Sequence, residues 1–318
     1  MAMTEAGKGV AALVAACTVW GLSGLYYKLL AHVPPIEILA HRTLWSLVFF
    51  TLVLLAQGRL SQLGAALGSP RAVGIVLFAA LMISTNWFVF ILSIQIGRAT
   101  EASLGYYLFP LVAVGIGRVI FGERLSRMQA TAVALAALAV TVLTLGLGAA
   151  PWIALVLSMS FGLYGLVKKQ LSAGPVVSVT AEVLLLSPIA LVVLLLAHQG
   201  AGGAYGADLT DSLLLMFSGI LTAGPLMLFS YASKRVRMGT VGLVQYINPT
   251  LQFLVAVMIF SEPFSTWHLV AFALIWSALA LYSVSSVSLE RAARRARVNA
   301  STLSTTVMNP AKEGSAKP

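Results

Sequence analysis

The chain has 318 residues, of which 59% are hydrophobic and only 9% are charged. A soluble globular protein is about 45–50% apolar and about 25% charged, so this composition excludes an ordinary soluble enzyme, a secreted disulfide scaffold and a disordered protein. The net charge of +10 would suggest nucleic acid in a soluble protein, but here the composition predicts an integral membrane protein.

Ten apolar segments are each long enough to cross a bilayer, whose core needs about 20 residues per helix. Their nearly continuous apolar character favours helices over the alternating strands of an outer-membrane barrel. The first segment is longer than the core of a cleavable signal, and nine more follow, so we expect it to span. The predicted spans are 9–30, 36–56, 71–94, 101–120, 128–146, 151–169, 177–198, 212–233, 239–260 and 266–287.

Basic residues indicate the orientation of these spans. With a cytoplasmic N-terminus, 17 of the 20 Lys and Arg residues fall in cytoplasmic segments, Lys28 and Arg98 fall outside, and Arg42 lies within a span. The positive-inside rule therefore predicts that both termini lie in the cytoplasm. Topology accounts for the charge, so no nucleic-acid partner is expected.

The chain ends carry little further signal. Residues 1–8 are predicted to be a cytoplasmic N-terminus, and the polar residues 288–318 a disordered cytoplasmic tail. The basic stretch 291–297 either contacts anionic lipid headgroups or is a solvated flank of the last span. Cys17, the single cysteine, has no spacing of a disulfide or metal site and is expected to pack in a helix. No cofactor and no metal are expected.

The chain contains an internal repeat. A shift of 139 residues places Tyr107-Leu-Phe-Pro110 on Tyr246-Ile-Asn-Pro249, and a shift of 141 places His41 on Glu182. The repeats cover 9–146 and 151–287. Because each has five spans, the second is inverted in the membrane, which is typical of secondary transporters. We therefore expect an all-α membrane protein of ten helices in two inverted repeats around a central cavity; the alternative is a duplication retained for packing.

Specific strings point to a family. They are Gly24-Leu-Tyr-Tyr-Lys28, Pro34-Pro-Ile-Glu-Ile-Leu-Ala-His-Arg42, Asn86-Trp87, Glu101-Ala-Ser-Leu-Gly-Tyr106 and Gly122-Glu-Arg-Leu125. Over residues 8–287 the chain resembles the EamA type of the drug/metabolite transporter superfamily, and within it the RarD-type subgroup. The second half is looser, since Gly122-Glu-Arg-Leu125 becomes Ser261-Glu-Pro-Phe264. The resemblance implies a plasma-membrane permease without naming its substrate.

Ionisable groups at bilayer depth are costly and therefore candidates for function. The candidates for coupling or gating are Glu37, His41, Arg42 and Glu182. Glu37, His41 and Trp45 share one face of the second span. Either this face lines an outer vestibule where His41 couples protons or binds an anion, or Glu37 pairs with Arg42 and both reach to the interface as structural residues.

Glu182 in the seventh span is the second charged candidate. It is either an inner gate or proton site, or a side chain that reaches out to the cytoplasmic interface. Four ionisable residues near span ends are expected to serve topology, helix capping and loop anchoring: Arg98, Glu101, Glu123 and Glu262.

The repeated Tyr-x-x-Pro motif predicts kinks at matching depths of the fourth and ninth spans, because proline removes a backbone donor. Such kinks point to a midplane substrate cavity, although any single residue of the set could serve packing alone. The candidates for the cavity lining are Trp20, Tyr26, Asn86, Trp87, Tyr106, Tyr107, Pro110, Tyr246, Asn248 and Pro249.

The Gly-x-x-Gly pairs Gly21/Gly24 and Gly162/Gly165 are expected to allow close helix packing. Ser23 in the first pair resembles an intramembrane protease serine, but its repeat position is Tyr164. The predicted function is a secondary transporter, not an enzyme, that moves a small metabolite or drug by alternating access, with proton coupling as a hypothesis. A membrane-embedded enzyme for a lipid-soluble substrate and a channel or structural subunit remain alternatives. The expected partners are a small-molecule substrate and the lipid bilayer, while oligomeric state, substrate identity and direction are left open.

Overall fold

The computed structural model describes residues 4–122, 125–148, 150–168, 171, 173–200 and 202–307. In these residues, nine helices are long and apolar enough to cross a membrane, and a tenth apolar helix has 17 residues. The ten predicted spans are thus confirmed as helical. The elements are α1 (Glu5–Leu29), α2 (Pro35–Ala56), α3 (Ser61–Ala66), α4 (Pro70–Gln95), α5 (Ala99–Phe121), α6 (Arg127–Leu147), α7 (Trp152–Lys168), α8 (Pro175–Gln199), α9 (Leu209–Ser233), α10 (Met238–Val244), α11 (Ile247–Leu254), a π-helix (Val255–Ile259) and α12 (Thr266–Val307).

Polar residues just before the apolar runs start several helices. The Ser69 hydroxyl accepts from the Ala72 amide at 3.2 Å, and Pro70 follows at the first helical position of α4. Ser126 and Gln129 form a reciprocal capping box at α6. Asp208 accepts from two amides at the start of α9. These local signals explain why the predicted span boundaries lie close to the observed helix ends.

The ninth span is broken into pieces, which the sequence pattern places in one segment. Residues 245–246 separate α10 from α11, and the π-helix follows α11. Pro249 has no amide hydrogen, so the helical bond to the Gln245 carbonyl cannot form there. In the first repeat α5 runs through Pro110 as one helix from Ala99 to Phe121. Of the two spans with a predicted kink, only the ninth is interrupted; the fourth is a continuous helix that packs closely along α7.

The last helix extends beyond the predicted span. Its backbone is helical to Val307, although the composition of 288–318 suggests a tail without regular structure. Residues 289–297 are rich in Ala and Arg, which favour helix. They also continue an existing helix, so no new nucleus is needed. Residues 308–318 lie outside the described part of the chain.

The two repeats pack with an approximate two-fold relationship. The equivalent helices α2 and α8 pack together, as do α6 and α12, while the α1–α9 contact is mirrored by α7–α4. Helix α1 starts on the side that holds Glu5 and its partner Arg235, here called the near side. Its equivalent α7 starts on the opposite, far side, because five spans precede it. The fold is therefore two inverted five-helix bundles.

The outward surface is apolar. Large side chains on α8 such as Leu195 and Leu196 are about two-thirds exposed, and many others on the outer faces are similar. A soluble monomer rarely exposes apolar surface of this extent. The chain is therefore a multi-pass membrane protein.

Candidate functional site

A buried guanidinium forms the first polar centre. Arg42, two turns into α2, is 6% exposed; its Nη1 donates to the Tyr27 hydroxyl at 2.6 Å, and its guanidinium lies over the Trp87 ring, 4.0 Å from the centroid. The Tyr106 hydroxyl donates to Asn86 Oδ1 at 2.8 Å. We call Tyr27, Arg42, Asn86, Trp87 and Tyr106 the arginine cluster. It brings together three predicted lining residues around a charge that one of the two alternatives in the sequence analysis placed at the interface.

Glu37 does not pair with Arg42, so that alternative is wrong. Glu37 Oε1 instead accepts from the Ala204 amide at 2.7 Å. The His41 ring stacks on Tyr205, with 5.0 Å between centroids, and Trp45 contacts the same ring at 6.3 Å. The shared face of Glu37, His41 and Trp45 is confirmed, and a loop covers it on the far side.

This loop, residues 202–208, is called the far-side cap. Gly202 and Gly206 adopt φ values of +76° and +88°, which glycine tolerates best. A side chain at Gly203 would begin 3.0 Å from Glu37 Oε1, so glycine also allows the close approach. The cap is held over α2 by the Glu37 hydrogen bond and the Tyr205 ring contacts.

A buried charge pair forms the second polar centre, in the half of the molecule towards the near side. Lys168 Nζ lies 2.6 Å from Glu182 Oε1, and Glu182 is 1% exposed. Ser178 Oγ donates to the same carboxylate at 3.1 Å, and the Tyr164 hydroxyl donates to its other oxygen at 3.2 Å. Tyr164, Lys168, Ser178 and Glu182 are called the charge cluster. The alternative in which Glu182 reaches out to the interface is wrong.

Lys168 is a charged residue of this site that sequence reasoning missed. Lys168 lies at the end of a span and fits the positive-inside pattern, so in the sequence analysis it was interpreted as one of the basic residues that set the orientation of the spans. The available signal was Glu182 itself, because a carboxylate at bilayer depth needs a partner. The internal repeat places Tyr27 on Lys168, so the same helix position bonds to the following long helix in both halves.

A cavity of about 200 Å³ adjoins the charge cluster on the near side. Ser178 forms part of its wall and thereby connects the cavity to Glu182. The other lining residues come from α3, α4 and the segment before α8, and they are Ala65, Ala66, Ser69, Arg71, Ala72, Ile75, Val76, Leu171 and Ala173.

A row of aromatic rings connects the two polar centres. Successive ring centroids are 4.9 to 6.1 Å apart, mostly in edge-to-face contacts. The row starts beside Arg42 and ends at the tyrosine that bonds Glu182. In order, its members are Tyr26, Tyr27, Phe90, Tyr106, Phe161 and Tyr164. We call it the aromatic row; Tyr26 and Tyr106 were predicted, and the other four were not.

The remaining lining candidates lie elsewhere. Tyr107 and Tyr246 stack at 6.4 Å in a separate apolar cluster against α12, and the Tyr107 hydroxyl shares a 2.6 Å hydrogen bond with Thr250. Trp20 contacts Phe229. Asn248 accepts a hydrogen bond from Gln252, and Pro249 is buried while Pro110 is half-buried. The ten predicted residues thus do not form one group.

The expected capping and anchoring roles at the span ends are confirmed for the residues that the structure describes. Glu262 accepts from the Ala99 and Thr100 amides at 2.6 and 2.7 Å, at the start of α5. Glu101 accepts from the Ile153 amide at 2.8 Å and pairs with Arg98. Glu123 lies outside the described residues.

The glycine pairs only partly follow the packing prediction. A Cβ on Gly21 would lie 2.7 Å from Leu251, and those on Gly24 and Gly162 would contact neighbouring helices, whereas Gly165 has open space. The prediction is therefore wrong for Gly165. The Ser23 hydroxyl donates to the Trp20 carbonyl within its own helix.

Comparison with known proteins gives a consistent result. The chain matches the EamA-like transporter family over residues 7–145 and again over 149–284. Protein RarD of Streptomyces exfoliatus is 41% identical over 92% of this chain and 93% of its own length. The uncharacterized transporter YojE of Bacillus subtilis is 40% identical, covering 92% and 99%. Protein RarD of Escherichia coli is 36% identical, covering 89% and 96%.

A protein of known crystal structure has a similar fold. It aligns with a TM-score of 0.57 and 20% identity, over 89% of this chain and 98% of that one. At this identity the likeness concerns the fold alone. The family matches and the relatives together decide the assignment: the chain belongs to the EamA-like transporter family, and within it is a RarD-type membrane transporter.

Proposed function

We propose that the protein is a secondary transporter that moves a small amphipathic metabolite or drug-like molecule across the plasma membrane by alternating access. The near side is the cytoplasmic side, because 17 of the 20 basic residues belong to segments there. The observation that carries the proposal is the aromatic row, which joins a polar centre under the far-side cap to one beside the near-side cavity.

The row supports a path for an amphipathic solute. Its rings offer an apolar wall, while three of its members direct a hydroxyl to a polar partner: Tyr27 to Arg42, Tyr106 to Asn86 and Tyr164 to Glu182. Two inverted repeats with similar contacts can form two arrangements of similar energy, one open to each side. The far-side cap is the gate of one arrangement.

We propose that the charge cluster couples the cycle to protons. Glu182 forms a close pair with Lys168, at 2.6 Å. A proton that arrives through the near-side cavity, past Ser178, removes the negative charge of Glu182 and weakens the link between α7 and α8. The link re-forms when the proton leaves. Since α8 packs on α2, a change there is transmitted to the helix that carries Arg42 and His41.

The test is uptake from a mixed metabolite extract into proteoliposomes, read by mass spectrometry with and without a pH gradient. We expect saturable enrichment of at least one compound, increased by the gradient. Glu182→Gln should lose the gradient dependence, while Glu5→Gln, an exposed carboxylate paired with Lys8 and Arg235, should retain it. Gradient-dependent uptake by Glu182→Gln would contradict coupling, and absence of saturable enrichment in the wild type would contradict transport.

A further inference from the structure

Arg42 is a buried cation without a carboxylate partner among the described residues. Four other lysine and arginine side chains have one: Lys168 pairs with Glu182, Arg98 with Glu101, and both Lys8 and Arg235 with Glu5. Arginine stays protonated in proteins, so it cannot avoid the cost by losing its charge. The Tyr27 hydroxyl satisfies one of its five donors and balances none of its charge.

One edge of the guanidinium is also left without a partner. Arg42 Nε is fully buried and has no hydrogen-bond acceptor among the described residues. The face of the guanidinium is occupied by Trp87, and Nη1 is occupied by Tyr27. Donors on adjacent nitrogens of a guanidinium match the two oxygens of a carboxylate. The open edge is thus suited to an anion that the protein itself does not supply.

We propose that the arginine cluster binds the carboxylate of a small amphipathic monoanion. This inference rests on the proposed function, because it names the substrate class of that same site. A single guanidinium charge balances one negative charge, which favours a carboxylate over the second charge of a phosphate. The apolar part of the anion lies against the aromatic row, beginning at Phe90, whose ring contacts both Tyr27 and Tyr106.

The experiment measures equilibrium binding of four probes to the purified full-length protein: phenylacetate, phenylacetamide, 2-phenylethylammonium and phenyl phosphate. They share one ring and differ in charge. We expect phenylacetate to bind saturably and at least tenfold more tightly than each of the others. Arg42→Gln should remove this preference. Arg42→Lys should retain part of it, because a lysine keeps the charge and loses the two-donor edge.

Arg59→Gln is the matched control. Arg59 lies on the near side, where it bonds Gln57 and Gln62 at the surface, so its loss should leave phenylacetate binding unchanged. Each variant is checked by size-exclusion chromatography. If Arg42→Gln does not fold, Tyr27→Phe serves instead; it frees Nη1 and should change the ratio of phenylacetate to phenylacetamide affinity severalfold.

The outcomes separate this inference from transport itself. Equal binding of phenylacetate and phenylacetamide by the wild type, no binding of phenylacetate, or an unchanged preference in Arg42→Gln would overturn the anion site. Saturable uptake of neutral or cationic metabolites that Arg42→Gln leaves intact would also overturn it, while the transport proposal stands. Carboxylate binding without uptake of any compound would support the site and contradict transport.

Discussion

Glu182 and Lys168 contribute to stability as a pair, because each balances the charge of the other. Removing one member of a fully buried pair leaves an uncompensated charge and costs about 3–5 kcal/mol. Because the Lys168 side chain is 22% exposed, we expect the lower end of this range for Lys168→Met. The unfolding temperature of the double variant Lys168→Met/Glu182→Gln should lie closer to that of the wild type than the unfolding temperature of Lys168→Met does. Thermal unfolding in detergent measures this; additive effects of the two changes would show that the pair is not coupled.

Single residues were the least predictable level. Glu182 and His41 were found because a titratable group in an apolar run is conspicuous. Arg42 was also seen, but the only partner considered for it was Glu37, in one of two alternatives, since helix spacing says nothing about Tyr27 on another helix. Lys168 was missed because a lysine at a span end has the same appearance whether it reaches water or turns inward. The direction of a side chain depends on the packing of other helices.

At the scale of the element, α9 contains two glycines in different surroundings. A Cβ on Gly219 would lie 2.6 Å from the Trp45 backbone carbon, so Gly219→Ala forces α2 and α9 apart. Overpacking of this kind costs about 1–3 kcal/mol. A Cβ on Gly224 meets nothing within 4 Å, so Gly224→Ala should be neutral or stabilise by about 0.5–1 kcal/mol through helix propensity. Thermal unfolding of the two variants compares them directly; equal destabilisation would contradict the close α2–α9 contact.

The helix N-terminus at Asp208 supports a second element-scale prediction. The Asp208 carboxylate, at the end of the far-side cap, accepts from the Thr210 and Asp211 amides at 2.7 and 3.1 Å. Asp208→Ala should lower the stability by about 1 kcal/mol, whereas Asp208→Asn keeps an acceptor and should lose less. Unfolding in detergent measures the difference in stability between the two variants. An equal loss of stability in both would show that Asp208 does not act by capping the N-terminus of α9.

Element boundaries were predictable, and element interruptions were predictable only in part. Hydropathy and caps such as Ser69 locate the ends of the spans, because a helix must begin where polar groups can satisfy its free amides. The Tyr-x-x-Pro motif predicted a kink in the ninth span, but not that residues 245–246 would divide it. Pro110 and Pro249 occupy matching repeat positions, yet only the ninth span is divided. The outcome depends on the neighbours of each helix rather than on proline alone.

For the whole molecule, the inverted repeat could be predicted because the two halves of the sequence align with each other and each contains an odd number of spans. The far-side cap could not, since a glycine-rich segment between two spans looks like an ordinary surface loop. Its contacts with Glu37 and His41 join residues more than 150 positions apart. We propose that the far-side cap and the near-side charge cluster open alternately, each to its own side of the membrane.

The measurement that tests this most directly is the reactivity of two engineered cysteines in a Cys17→Ser background. Ser46→Cys reports from the buried face one turn beyond Arg42, and Ala66→Cys reports from the near-side cavity. When the far-side cap is unaltered, Ala66→Cys should react with a polar maleimide faster than Ser46→Cys. Tyr205→Ala, which removes the ring that stacks on His41, should raise labelling of Ser46→Cys several-fold and lower that of Ala66→Cys. Increased labelling at Ser46→Cys with no decrease at Ala66→Cys would contradict alternating access.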